Sequence, residues 1–249
     1  TRCALNLVGV AHTQVQRGDV VVGPGQWHLA TVVDASLRVL DQLDHSVSRR
    51  GAHVAYLGAG EHPVRMRILG PEALKPGREG SVRLFLPRPL PLLPGDRFVL
   101  RESGRAETVG GGCVLDVDPR ERASRARPDR SVDRVVRERG WVGSAELERL
   151  TGERREPDVG QWVVDPEALQ TTLAGLREAL DESGPLGVEL SSLDDYQRAA
   201  AVLLDETAVD GGRLRVTDTA DPLVDHPFVA ALEATPFAPP APDGVDRVE

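Results

Sequence analysis

Val64-Arg65-Met66-Arg67-Ile68 alternates apolar and charged side chains residue by residue, and the same period of two recurs, punctuated by turns, over the first 118 residues. A strand points successive side chains to opposite faces, so such a pattern commits this half to antiparallel β structure with one face buried. Val64, Met66 and Ile68 are expected inside and both arginines outside. The next run repeats the device, with Val82, Leu84 and Leu86 on one face and Arg83 and Phe85 on the other. Further strands are expected at Arg2 to Val10, Gly18 to Val22, Val32 to Leu40, Ala52 to Leu57, Arg97 to Glu102 and Thr108 to Val117. Pro87, Pro89, Pro91 and Pro94 bracket an apolar stretch that is expected to be an extended loop, because proline has no N–H to donate to a ladder. The first half therefore reads as a barrel or sandwich.

From about Arg120 the pattern changes. Arg120 to Arg130 is arginine-rich, poor in apolar residues and linker-like. Helical periodicity follows, over Ser131 to Arg139 with Val132, Val135 and Val136 on one stripe and Gly140 beyond its end. Trp141-Val142 is a short extended piece, Ser144 is a candidate N-cap for Ala145 to Leu150, and Gln161 to Val164 is a strand. Asp165-Pro166 opens a long helix with Leu169, Leu173, Leu176 and Leu180 on one face, closed by Gly184-Pro185. Helix, strand, helix, strand is the order of a winged helix, although no third helix is legible before residue 165. A second unit follows, with a helix over Tyr196 to Glu206, a strand at Leu214 to Val216, a short helix from Phe228 to Ala234 and a proline-rich connector, Pro236 to Pro242.

Charge divides the chain in the same place. The net charge is −9, which speaks against a nucleic-acid partner until its distribution is considered. Residues 1–130 carry 19 Arg and Lys against 14 Asp and Glu, a net of +5, and the remainder is −14. Only the first half has the balance of an RNA surface. Its candidate arginines are Arg49, Arg50, Arg65, Arg67, Arg83, Arg97, Arg101 and Arg105, which suit an A-form helix read through its backbone and 2′-hydroxyls, or form an ordinary solvated face.

Catalytic chemistry finds no support. Gly110-Gly111-Gly112 lacks the Lys-Ser/Thr ending of a phosphate loop and continues as strand where a helix N-terminus is needed, so a bulge or tight barrel corner is expected. No G-x-x-x-x-G-K-[ST] stretch occurs, and no cofactor or metal is expected in this chain. The serines have no nucleophile-elbow context. His53 and His62 flank the Leu57-Gly58-Ala59-Gly60 turn and read as core or solvated histidines, and Asp194-Asp195 sits at a helix start where the dipole accounts for it. Cys3 and Cys113 lie far apart inside apolar runs and read as reduced core residues. There is no run of about 18 apolar residues and no secretory signal, so a cytoplasmic protein away from membranes is expected. A start without Met inside a strand pattern and an end in a charged run read as truncation at both ends.

Three stretches together resemble a known family. Arg2-Cys3-Ala4-Leu5-Asn6-Leu7-Val8-Gly9-Val10 with Arg17-Gly18-Asp19-Val20, then Gly95-Asp96-Arg97-Phe98-Val99-Leu100-Arg101, then Glu107-Thr108-Val109-Gly110-Gly111-Gly112 are similar to the second and third domains of EF-Tu-like translational GTPases. The extension beyond Arg130 resembles that of the selenocysteine-specific elongation factors, the SelB type. The resemblance implies a multidomain fold, an all-β barrel (EF-Tu-like domain III) followed by α/β winged-helix domains. Its expected limits are 1–30 for the end of the second barrel, 31–119 for the third-domain barrel, 120–130 for a linker, 131–184 for a winged-helix-like domain and 185–249 for a second one.

It further implies a GTP-dependent factor that delivers selenocysteinyl-tRNA to the ribosome at UGA, with GTP and Mg held by a domain outside this chain. A selenoprotein mRNA hairpin would be gripped by winged helices also outside it. By the same resemblance Arg2 lines the aminoacyl pocket, where a selenol, more acidic than a thiol at about 8.5, is an anion that a cation favours. Arg49, Arg50, Arg65 and Arg97 become candidates for contacting the acceptor and T stems. Two alternatives stand beside this reading: a general EF-Tu-like tRNA-binding factor with an unrelated extension, and a winged-helix DNA-binding regulator. Against the second, Ala145 to Leu150 carries Glu146 and Glu148, which would face phosphates.

Overall fold

The computed structural model describes residues 4–217, 227–235 and 237–238. They fall into two compact units that divide after Val163.

The first unit is built on a closed antiparallel barrel. Residues 29–116 hold eight strands, six of which form the barrel: β1 (Leu29–Val39), β2 (Val47–Ser48), β3 (His53–Leu57), β4 (Gly60–Leu69), β5 (Ala73–Leu74), β6 (Glu79–Pro91), β7 (Arg97–Glu102) and β8 (Glu107–Asp116). The barrel order is β1-β6-β4-β3-β7-β8, closed by pairing of β8 with β1, while β2 and β5 form a separate ribbon. Closure removes the free edges an open sheet would expose. The alternation sets what is inside: β4 is buried at every second residue, and Val82, Leu84 and Leu86 of β6 turn inward with Val33, Leu37, Leu100, Val109 and Val114. Each fully buried Val or Leu contributes about 1.5–3 kcal/mol by leaving water.

The glycine triplet in β8 answers to close packing. A Cβ on Gly112 would lie 1.9 Å from the Ser36 carbonyl oxygen of β1, and one on Gly110 would lie 2.3 Å from that of Arg38. The ladder to β7 also slips beside Gly110, between Leu100 and Arg101. The triplet is thus a bulged barrel corner, in keeping with its sequence.

The proline run departs from expectation. Pro87, Pro89 and Pro91 belong to β6, whose end pairs Leu90 with Ala30 and Pro91 with Leu29. Two features accommodate them. The pairing with β4 stops at Phe85 opposite Arg65, which leaves one edge of the strand free of donors to satisfy. The register with β1 jumps from Phe85–Val32 to Leu90–Ala30, so Pro87 and Pro89 occupy the bulge. Arg2 and Cys3 lie outside the described residues, and the rest of the strand expected at Arg2 to Val10, like that at Gly18 to Val22, does not form: the described residues before β1 hold only a 3-10 turn, His12–Gln14. Val8, Val20 and Val21 are exposed there, and without a partner ladder among the described residues alternation alone makes no strand.

Four elements after residue 131 complete the first unit: α1 (Val132–Arg139), β9 (Trp141–Gly143), α2 (Ser144–Thr151) and β10 (Trp162–Val164), which pairs with β9 and runs one residue past the division. Ser131 caps α1 by accepting a hydrogen bond from the Arg134 N–H, and Gly140 follows at φ 73°. The cap of α2 is Gly143, and the Ser144 hydroxyl instead donates to the Arg155 carbonyl at 2.7 Å. No helix occupies residues 152–161. Val132, Val135, Val136, Leu147 and Leu150 join the same buried cluster as the barrel interior, so this helical piece shares the barrel's core.

The second unit contains α3 (Pro166–Ser183), β11 (Val188–Glu189), α4 (Asp195–Ala201), β12 (Thr207–Asp210), β13 (Arg213–Val216) and α5 (Pro227–Ala234). Asp165 caps α3 through its carboxylate with Pro166 in the first turn, as its sequence requires, and Leu173, Leu176 and Leu180 are buried. Helix α4 is shorter than expected, ending at Ala201. Thr207–Asp210 instead pairs with β13, giving a three-stranded sheet of order β11-β13-β12. Helix, strand, helix and a two-stranded wing make this the more complete winged helix of the two.

Candidate nucleic-acid interface

Strand register sorts the arginines into two classes. Arg83 is spent internally: β1 and β6 align it with Asp34, and its Nε and Nη2 donate to the two carboxylate oxygens at 2.6 and 2.8 Å, with a further bond from Nη2 to the Glu121 carbonyl at 2.9 Å. Burial holds the Asp34 carboxyl above the ordinary carboxylate range against the pull of Arg83, while hydrogen bonding to Asp34 raises the Arg83 guanidinium. On the other side of Asp34, β8 brings Asp116, which takes Arg134 of α1 at 2.9 Å. Burial works against the Arg134 charge, but bonds to Glu138 and Asp116 carry its pKa upward. Arg139 adds bonds to the Asp118 carbonyl and carboxylate at 3.0 and 3.1 Å. These groups clamp α1 onto the outside of the barrel and offer nothing to a ligand. Arg101 donates to the Ala106 carbonyl and Arg105 faces Glu102.

Arg49, Arg50, Arg65, Arg67 and Arg97 form the other class. All five are exposed, and among the described residues no carboxylate lies within ion-pair distance of any of them. Arg65 and Arg67 stand on the outer face of β4 because Val64, Met66 and Ile68 fill the inner one. Arg49 and Arg50 follow directly on β2. Two grooves join them. One of about 630 Å³ is lined by Arg49, Arg65, His53 and Phe85 among others, and one of about 450 Å³ by Arg49, Arg50, Arg67 and Glu72 among others. Arg49 borders both. Arg65 lies over the Phe85 ring, its Cζ 5.0 Å from the centroid, in register across β4 and β6.

Arg97 stands apart, opposite Cys113 in a different hollow with Tyr56 and Val99. Arg2 lies outside the described residues, as does Cys3. Cys113 is a free, half-buried thiol 3.5 Å from the Ser36 hydroxyl rather than a core residue. His53 and His62 are both buried on the inner barrel face, and burial lowers both pKa values, leaving neutral rings at pH 7. The His53 Nδ1 has no hydrogen-bond partner among the described residues. Among the described residues no cluster of metal-ligating side chains occurs, and no helix is long and apolar enough to cross a membrane.

Sequence reasoning missed Asp34, Asp116 and Arg134 as a buried charge network. The available signal was a carboxylate inside each of two apolar strand runs, Val32-Val33-Asp34-Ala35 and Val114-Leu115-Asp116-Val117. It also passed over Phe85 as more than the outward residue of its strand.

Residues 33–121 match the family model of the β-barrel domain of selenocysteine-specific elongation factors. The selenocysteine-specific elongation factor of Desulfomicrobium baculatum is 28% identical over 115 residues, covering 46% of this chain and 18% of that protein. The crystal structure of a bacterial selenocysteine-specific elongation factor, EF-Sec, matches 94% of this chain and 42% of its own with a TM-score of 0.66 and 14% identity, a likeness of fold. In both cases the chain spans less than half the length of its relative. Neither a general translation factor with an unrelated extension nor a DNA-binding regulator accounts for these matches. Over residues 33–121 the barrel of the first unit is thus similar to the β-barrel domain of the selenocysteine-specific elongation factors, the SelB type.

Proposed function

We propose that this chain supplies the tRNA-binding barrel and adjoining winged helices of a cytoplasmic, GTP-dependent factor that delivers selenocysteinyl-tRNA to the ribosome for insertion at UGA. The observation that carries the proposal is the contiguous set Arg49, Arg50, Arg65 and Arg67, unpaired and exposed on the outer face of a SelB-type barrel. Guanidinium groups without internal carboxylates keep their full charge for phosphate oxygens, and a rigid barrel face suits the fixed backbone geometry of an A-form stem. Arg97, separated from this set, is left out of the stem interface.

The residues present do not fit GTP, since no phosphate-binding loop occurs in the sequence. Nucleotide and Mg binding, GTP hydrolysis and any grip on a selenoprotein mRNA hairpin are assigned to segments outside this chain. The acidic balance of residues 131–249 suits a spacer better than a second RNA surface.

The test is equilibrium binding of the selenocysteine tRNA to the 249-residue chain across salt concentrations. Replacing Arg49, Arg50, Arg65 and Arg67 with alanine is expected to weaken binding and to flatten the salt dependence by about 0.7–0.9 for each phosphate no longer neutralised. Unchanged affinity and slope would place the RNA elsewhere.

A further inference from the structure

The groove between Arg49 and Phe85 has a chemistry that a duplex does not use. An A-form stem keeps its base faces stacked and presents phosphates and 2′-hydroxyls. Arginines on a flat surface meet those groups without help. Here, however, Arg65 lies across the Phe85 ring at 5.0 Å, so that the groove presents a planar cation backed by an aromatic ring. The remaining walls include apolar Pro63, Val64 and Pro87, and Arg49 stands at the junction with the neighbouring groove. Among the described residues no carboxylate lines it. Its volume of about 630 Å³ lies within the range of about 300–1,000 Å³ that holds small organic ligands, and a single nucleotide fits.

His53 also borders the groove, but its ring is buried on the inner barrel face, so the outward Arg65, Phe85 and Arg49 set its chemistry. A flat π surface, a planar guanidinium and a second unpaired cation together select a base that has left its stack and carries a phosphate.

We propose that this groove takes one unpaired nucleotide of an RNA strand, its base stacked on the Arg65–Phe85 pair and its phosphate held by Arg49. The inference rests on the reading of the barrel face as an RNA surface and adds that this part of the face selects an unstacked nucleotide over a duplex.

The experiment uses the 249-residue chain and two RNA hairpins, one blunt and one ending in a single unpaired 2-aminopurine nucleotide. The overhanging hairpin is expected to bind about tenfold more tightly, with its fluorescence changed on binding, as base–aromatic stacking implies. Phe85→Leu should abolish both the fluorescence change and the roughly tenfold advantage while leaving the blunt affinity in place. Arg65→Lys, which keeps the charge and the strand but removes the plane, should lose most of the advantage and serves if Phe85→Leu fails to fold. Equal affinities with no fluorescence change would overturn the inference and leave the stem-binding reading standing; no binding of either hairpin would overturn both. Displacement of the overhang by micromolar adenosine monophosphate would also overturn it, by making the ligand a free nucleotide.

Discussion

The buried pair Asp34–Arg83 offers the sharpest test of the forces holding the first unit together. Its side chains are 2% and 11% exposed and share two hydrogen bonds at 2.6 and 2.8 Å. Asp34→Val strands a guanidinium whose only other bond among the described residues is to the Glu121 carbonyl, and Arg83→Met strands a carboxylate with Asp116 aligned beside it in β8. Removing one partner of a buried pair costs about 3–5 kcal/mol, because the other charge stays out of water uncompensated. Replacing both with apolar groups removes the two desolvation penalties together. The double variant Asp34→Val/Arg83→Met is therefore expected within about 2 kcal/mol of the parent. At about 2–4 °C per kcal/mol for a unit of this size, each single change should lower Tm by roughly 6–20 °C.

The chain provides its own reporter. All three tryptophans, Trp27, Trp141 and Trp162, lie in the first unit, so urea titrations followed by tryptophan fluorescence read that unit alone. Single variants costing less than about 1 kcal/mol, as exposed pairs do, or a double variant as unstable as the sum of the singles, would refute the reasoning.

Three further outcomes follow from the same structure. Gly112→Ala should destabilise the barrel by about 3 kcal/mol or more, since its Cβ meets a backbone carbonyl that cannot move aside, and tryptophan-monitored unfolding measures it. Gly175→Ala, on an exposed part of α3 with open space around it, should stabilise the second unit by about 0.5–1 kcal/mol, read as a raised melting transition by circular dichroism. His45 lies between Asp44 at 2.9 Å and Glu102 at 3.3 Å, and the bond to Asp44 raises its pKa. A folded value above the unfolded one, about 6.5, means stabilisation complete below that pH and lost as pH rises through the folded value. His45→Gln should remove this pH dependence of Tm, and an identical profile in the variant would contradict it.

How much of this was legible in the sequence depended on what each feature needs. Strand β4 was legible because its alternation is local and its burial one-sided. Helix α3 was legible because Asp165-Pro166 is a complete start signal. The prolines of β6 misled because their tolerance depends on where β4 stops pairing and where β1 changes register, which only the closed barrel decides. Asp34 and Asp116 lie on the outer barrel face and would ordinarily be solvated; they are buried because α1 docks there, with Arg134 and Arg139 reaching across. The same holds for the interface. Arg65 and Arg83 look alike in sequence, yet register gives one an internal carboxylate and leaves the other to solvent. Strand position alone could not separate Arg97 from Arg49 and Arg50, which a two-residue ribbon carries to the edge of β4.

The most direct measurement joins this chain to the GTPase and second-barrel segments of a selenocysteine-specific elongation factor and compares, with GTP, its affinity for selenocysteinyl-tRNA and for the same tRNA carrying serine. A backbone-binding barrel adds affinity without reading the amino acid. Alanine at Arg49, Arg50, Arg65 and Arg67 is accordingly predicted to weaken both complexes by the same factor and to leave their ratio unchanged. Affinities untouched by the four substitutions would contradict the account.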